Sequence, residues 1–311
     1  MPTRRRLPTK TSRRVDAQEA EVRISHPDRI LYPRDGITKG DLAEYYRFIA
    51  DRMLPHISDR PLSIVRCPEG TGAACFFQKH PPAGLSQSVR RITIKEKSGT
   101  DVYQSVHDSH GLLSLVQFNA VEFHIWGSKI DQIEQPDRIV FDLDPDAGLQ
   151  WSDVAEAARL LRRLLDKLGL PAYLKTTGGK GLHVVSPIRP EREWDEVKDY
   201  CRNMASLVTQ LRPDRYVVNM SKAKRRGKIF IDYLRNERGS TWVAPYSARA
   251  REHAPISTPI DWKELGRVKS SATFTLQNLS RRLKSRRSDP WKDIAPAAVS
   301  LTDAMLRSVR S

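Results

Sequence analysis

Cysteine is scarce in this chain: Cys67, Cys75 and Cys201 are the three in 311 residues. An odd number at these separations matches neither a zinc-ligand spacing nor a disulfide framework, and so points to a reduced cytosolic compartment. Long apolar runs are missing as well. No stretch approaches the roughly 20 residues that cross a bilayer, and the basic N-terminal segment lacks the apolar region of a secretion signal. The expectation is a cytoplasmic protein with no membrane partner. There is no internal repeat, and no G-x-x-x-x-G-K-[ST] phosphate loop. Acidic residues are in short supply, 37 Asp+Glu against 53 Lys+Arg, which leaves a net charge of +16. A polyanion is therefore the expected partner.

The length permits one large domain or two modest ones. Arg4, Arg5, Arg6, Lys10, Arg13 and Arg14 crowd the first residues, and Arg281, Arg282, Lys284, Arg286 and Arg287 form a second block. Each block alone reads as a solvated basic tail. The expected division is a disordered basic segment at 1–20, one folded domain at 21–290, and a C-terminal tail at 291–311. A third cluster, Lys222, Lys224, Arg225, Arg226 and Lys228, leads straight into an apolar strand with a carboxylate in it. There it would hold a phosphate-bearing partner next to an acid.

The pattern from Arg138 to Asp146 organises the rest. Ile139, Phe141 and Leu143 alternate with Val140, Asp142 and Asp144, the period-2 signature of a strand with one buried face. Asp142 and Asp144 thus share a face, with Cα atoms roughly 6.5 to 7 Å apart, and can converge on one or two divalent cations. Pro145 ends the strand. Asp232 sits within the apolar run Ile229-Phe230-Ile231, where a carboxylate is costly unless a cation or good hydrogen bonds offset it. A site shared with Asp142 and Asp144 supplies that offset. Taken alone, D-x-D after an apolar strand also describes strand-end carboxylates facing water.

Along the chain, Thr38-Lys39-Gly40-Asp41 suits a helix N-terminus, and the helix runs to about Ile57. Arg29 and Lys39 flank its entrance, a candidate phosphate seat. Short strands follow at 62–66, 74–78, 91–95 and 102–106. Phe76 and Phe77 are adjacent on one of them, so only one can enter a core and the other is free to stack on a base. Strand 121–125 places His124 on the same face as Glu122. Amphipathic helices fall at 151–168 and 193–211, flanking two short strands joined by Thr177-Gly178-Gly179-Lys180-Gly181-Leu182-His183. Three glycines let backbone amides face an anion there, Lys180 adds charge, and Thr177 and His183 add donors. Arg249 is a further candidate phosphate clamp. Strands and helices are mixed and hairpins surround the acidic residues, so the fold class is α+β.

Together, Asp142-Leu143-Asp144, the Thr177 to His183 loop and Ile231-Asp232 resemble the three motifs of the archaeo-eukaryotic primase superfamily. With residues 27–40, Phe76 to His80, His124, Trp126 and 225–249, the chain is more similar still to the polymerase domain of bacterial ATP-dependent DNA ligase D, over roughly residues 22–290. The resemblance implies a primase-polymerase-like fold with a mixed or antiparallel central sheet carrying the acidic site and flanked by helices. It implies two divalent metal ions, manganese or magnesium, held by Asp142, Asp144 and Asp232, the catalytic carboxylates. Thr177, Lys180, His183 and Arg249 would bind a nucleoside triphosphate, with His124 and Arg225 near the sugar and reaction centre. Phe76 or Phe77 would stack on the base. Arg29, where relatives often carry lysine, and Lys39 would seat the 5′-phosphate of a DNA end or gap. The implied activity is addition of nucleotides, ribonucleotides preferred, to DNA 3′ ends in non-homologous end joining. The implied partners are Ku and a DNA ligase, and the implied location is the nucleoid. A K-x-D-G ligase nucleophile motif is absent, so nick sealing is not expected. Two other readings fit less of the chain. A haloacid dehalogenase-type phosphohydrolase also uses D-x-D, but Pro145-Asp146 stands where that chemistry wants small or hydroxyl residues. A non-catalytic DNA-binding module rests on charge alone.

Overall fold

The computed structural model describes residues 22–309; the basic segment expected to be disordered at 1–20 lies outside them. Strands β1 (Ile30–Tyr32) and β2 (Ile37–Thr38) form a small ribbon that feeds helix α1 (Lys39–Ile57). The Thr38 hydroxyl accepts the Asp41 amide while the Asp41 carboxylate accepts the Thr38 amide, a capping box that fixes the start of α1. Leu42, Tyr46, Ile49 and Met53 bury its inner face. Next come β3 (Leu62–Arg66), β4 (Phe76–Gln78), β5 (Arg90–Glu96), β6 (Gly99–Ser105), helix α2 (Ser109–Gln117) and β7 (Ala120–Ile125).

The second half begins with β8 (Arg138–Pro145) and helix α3 (Trp151–Lys167), followed by the hairpin β9 (Tyr173–Thr176) and β10 (Leu182–Pro187) and helix α4 (Trp194–Leu211). Short strands β11 (Tyr216–Val217), β12 (Ile229–Asp232), β13 (Trp242–Val243) and β14 (Pro259–Ile260) precede helices α5 (Leu279–Lys284) and α6 (Asp303–Ser308).

Two six-stranded sheets result. One runs β13-β7-β3-β6-β5 with β4 added against β3, and the other β11-β12-β8-β10-β9-β14. In the second sheet every pairing is antiparallel except β11 with β12, so it is mixed, as the α+β expectation required. Alternation decides its two faces. Ile139, Phe141, Leu143, Leu182, Val184, Ile229 and Ile231 are buried in one core with the α3 stripe Val154, Ala158, Leu161 and Leu165, which puts Asp142, Asp144, His183 and Asp232 on the opposite face, beside the buried Val140, Val185 and Phe230.

Three expectations need correction. Cys67 and Cys75 are disulfide-bonded across the connection from β3 to β4, and Cys201 is free and buried. The spacing rule failed because β3 and β4 pair antiparallel, Arg66 opposite Phe76, and that pairing brings together two cysteines too few to make a pattern. The segment expected as a tail after residue 290 is packed: Trp291, Ile294 and Leu301 are buried, and Val299 bridges to Ile188. Arg282 and Arg286 are likewise no solvated block. They pair with Glu264, and Arg286 also with Asp261, because α5 folds back over the 261–264 turn.

Candidate active site

Strand register builds the site. Asp142 at the middle of β8 lies opposite Asp232 on β12 and opposite His183 on β10, and His183 lies opposite Lys175 on β9. Residues directly opposite share a face, so Asp232, Asp142, His183 and Lys175 form one row across four strands. Asp144, two residues along β8, is on the same face opposite Phe230. β12 ends at Asp232 because the Asn236 amide group takes over the pairing, bonding both the amide and the carbonyl of Val140 at 2.8 and 2.7 Å. The Asp232 carboxylate accepts the Leu234 amide at 2.8 Å, and this tight turn returns Arg235 over the row.

Arg235 Nε stands 3.5 Å from Asp142 and 3.3 Å from Asp232. Arg225 stacks on the Phe230 ring at 3.6 Å and stands 3.5 Å from Asp144. Burial works against an ionised Asp142, but contact with His183 and the charges of Arg235 and Lys175 outweigh it and hold this carboxyl at about 2. Asp144 is pushed up by burial and by the neighbouring Asp142 charge, and Asp232 by burial and, against Arg235, by the same charge. Burial and then Lys175 push His183 down to about 4. Lys175 is fully buried, donates to Ser257 Oγ at 2.6 Å, and is itself driven far down by burial. With side chains so placed, no three carboxylate, imidazole or thiolate groups among the described residues stand arranged around a metal ion. Arginines fill the gaps between the acids instead.

The glycine loop closes against the same row. A Cβ on Gly181 would lie 2.0 Å from the Leu143 carbonyl oxygen, so this glycine is what lets the hairpin approach β8. Gly178 has φ +67, and a Cβ there would meet the Arg249 side chain at 2.8 Å. The Thr177 hydroxyl is committed to the loop itself, bonding the Gly181 carbonyl, the Gly179 amide and Ser271. Arg249 donates to the Thr177 carbonyl at 2.6 Å and pairs with Glu122 at 3.0 Å. Glu122 also accepts from His124 at 2.8 Å. These groups line a cleft of about 210 Å³ bounded by His124, Asp142, Asp144, Lys180, Arg235 and Arg249 among others. A larger hollow of about 790 Å³, lined by Glu264, Arg267, Phe274 and Arg282 among others, contains none of the acidic row.

The remaining expected residues lie at the margins. Phe76 and Phe77 are both about half exposed, so neither enters the core. β4 is an added strand at β3; Phe77 meets His124 edge-on at 5.4 Å, and Arg66 covers Phe76 at 5.3 Å. Arg29 bonds the Pro68 carbonyl, and Lys39 is buried with Nζ on the Gln117 carbonyl and side chain. At the start of α1 the Lys39, Gly40 and Asp41 amides are already taken by Arg29 O, Pro27 O and the Thr38 hydroxyl. An anion here would rely on side chains, not on free helix amides. Sequence reading passed over Arg235, Lys175 and Arg251, which also lines the cleft. Arg235 lies three residues beyond Asp232, but only the Asn236 turn aims it. Glu122 was legible as a face-mate of His124, without a role.

A mixed antiparallel sheet that carries three carboxylates beside a glycine hairpin, in a cleft rimmed by arginine and lysine, defines a polymerase-type nucleotidyltransferase of the primase-polymerase class. The family model described as LigD, primase-polymerase domain, matches residues 38–291. The chain belongs to that family. It is 39% identical over 294 residues to the multifunctional non-homologous end joining protein LigD of Pseudomonas aeruginosa, covering 94% of this chain and 35% of that protein. It is 29% identical over 267 residues to the bifunctional non-homologous end joining protein LigD of Bacillus subtilis, covering 86% and 43% respectively. The chain therefore spans less than half the length of these relatives. The polymerase domain of Mycobacterium tuberculosis ligase D, solved in complex with DNA, superposes with a TM-score of 0.83 at 30% identity, covering 90% of this chain and all of that one. The family match displaces the phosphohydrolase reading.

Proposed function

We propose that this chain extends DNA 3′ ends with nucleoside triphosphates, ribonucleotides preferred, as the polymerase step of double-strand break repair by non-homologous end joining. The observation that carries the reading is the register that sets Asp232, Asp142 and His183 in one row, with Asp144 beside them and the glycine hairpin at the edge. Hard oxygen donors on adjacent strands suit manganese or magnesium, and burial together with the Asp142 charge raises Asp144 and Asp232. Asp142, Asp144 and Asp232 would hold two divalent ions in place of the Arg235 guanidinium that now stands between Asp142 and Asp232. Such ions supply activation of the primer hydroxyl and neutralisation of the triphosphate.

The chain's own contribution is placement and charge. Lys180 and Arg249, with Thr177 and His183 behind them, face the phosphates. Arg225 neutralises charge beside Asp144, His124 borders the sugar, and Phe76 or Phe77 offers a ring to the base. Arg29 and Lys39 hold the 5′-phosphate across the gap. Ku and a DNA ligase are the expected partners, at a cytoplasmic, nucleoid-associated location.

Primer extension on a gapped, 5′-phosphorylated duplex with manganese and labelled ribonucleoside triphosphates tests the reading. Asp142→Ala and Asp232→Ala are expected to lower extension by on the order of a hundredfold or more while DNA-end binding persists. Extension that survives either substitution, or that is indifferent to chelation of the metal, would count against the site.

A further inference from the structure

Glu122 is an acid in a place where packing alone would not keep one. It lies on β7 with its side chain only 7% exposed, and a buried carboxylate is tolerated only when its lone pairs are used. Its hydrogen bonds and ion pair go to His124, Ala250 and Arg249. Oε2 accepts from His124 Nε2 at 2.8 Å and lies 3.0 Å from Arg249 Nε as an ion pair, and Oε1 accepts the Ala250 amide at 2.8 Å. One oxygen therefore serves an imidazole from β7 and a guanidinium from the loop after β13. Arg249 passes the constraint on: its Nη1 holds the Thr177 carbonyl, and its stem occupies the space that a side chain at 178 would need. The His124 ring in turn meets Phe77.

We propose that Glu122 is the positioning residue of the nucleotide clamp, fixing His124 and Arg249 in one geometry and setting the His124 tautomer. This rests on the nucleotide-site reading above. An ionised carboxylate can only accept, so Nε2 of His124 carries the proton and Nδ1 keeps its lone pair. Glutamine cannot reproduce this arrangement. If its carbonyl faces His124 and Arg249, its NH₂ faces the Ala250 N–H; reversed, it faces two donors.

The test uses the full chain and ATP with manganese as the binding probe. Glu122→Gln is expected to weaken ATP binding and raise KM for ATP about tenfold or more, the worth of a charge-assisted hydrogen bond. kcat and DNA-end affinity are expected to change much less. In an Arg249→Ala background the same substitution is expected to lose most of its effect, since the two act through one contact. Wild-type-like ATP binding in Glu122→Gln, or full additivity with Arg249→Ala, would overturn the proposal. Imidazole ¹⁵N spectra of the unmutated protein give a readout independent of any folding defect: Nε2–H is expected for His124, and an Nδ1–H tautomer would also overturn it. ATP binding by the wild-type chain without primer extension would fault the polymerase reading and leave this assignment standing.

Discussion

At the scale of single residues, the site is governed by what surrounds each charge. Asp142 and Asp144 are two residues apart on one strand, yet their carboxyls are pushed in opposite directions: against burial, Asp142 has His183, Arg235 and Lys175 around it, whereas burial and then the Asp142 charge raise Asp144. Lys39 shows the same logic with the sign reversed. Burial, and then the Arg29 charge, bring its ammonium down to about 8, so it is charged at neutral pH and neutral in mild base. If Lys39 and Arg29 seat a 5′-phosphate, preference for a phosphorylated over an unphosphorylated DNA end should shrink as pH rises from about 7 to about 9. The same titration on Lys39→Met should be nearly flat, and a wild-type preference indifferent to pH would remove Lys39 from the seat. The sequence named Lys39 as a cation by a helix start; its burial against Gln117 comes from α1 meeting α2, which no local pattern announces.

At the scale of elements, two connections hold the chemistry in place. The β9–β10 hairpin approaches β8 only because residue 181 lacks a side chain. Gly181→Ala puts a methyl 2.0 Å from the Leu143 oxygen, so the hairpin must shift, at a cost on the order of 3 kcal/mol. Urea unfolding should show that loss, together with weaker ATP binding; a wild-type midpoint would mean that the loop adjusts freely. The second connection is the Cys67–Cys75 bridge, which closes a short loop of sequence separation 8 directly before Phe76 and Phe77. Removing such a cross-link frees chain entropy worth about 2 to 3 kcal/mol. Dithiothreitol and Cys75→Ser should lower Tm by similar amounts, and reductant should then have no further effect on the variant. Element boundaries themselves were largely legible, since the helices at 151–167 and 194–211 and the strand at 138–145 follow apolar periodicity. The bridge was not, because it depends on which strands pair.

For the whole molecule, the compact body extends to the end of the described chain. Trp291 donates its indole N–H to the Leu174 carbonyl at 3.0 Å, and Val299 bridges to Ile188, just past the end of β10. Deleting residues from 291 onward exposes the surfaces that Trp291, Ile294 and Leu301 cover, a loss of roughly 5 kcal/mol or more in apolar burial. The truncated chain should unfold at markedly lower urea; an unchanged midpoint would make the segment a dispensable tail after all. The segment after residue 290 is packed, not a free tail, for a physical reason. A basic run reads as solvated, but Arg282 and Arg286 are neutralised by Glu264 and Asp261, and α5 can then lie on the body.

Alternation along 138–145 and 229–232 was sufficient, from the sequence alone, to put Asp142 and Asp144 on one face and to make Asp232 an anomaly in need of a partner. The glycine-rich linker likewise announced a hairpin with cations. Side-chain parity is a local property of a strand, fixed wherever one face is apolar. Only the tertiary structure decided that Asp232 faces Asp142, that His183 lies on the other side, and that Arg235 and Glu122 complete the charge balance. Those facts depend on strand order and alignment between segments up to 128 residues apart, and a strand's own sequence carries its faces but not the identity of its neighbours.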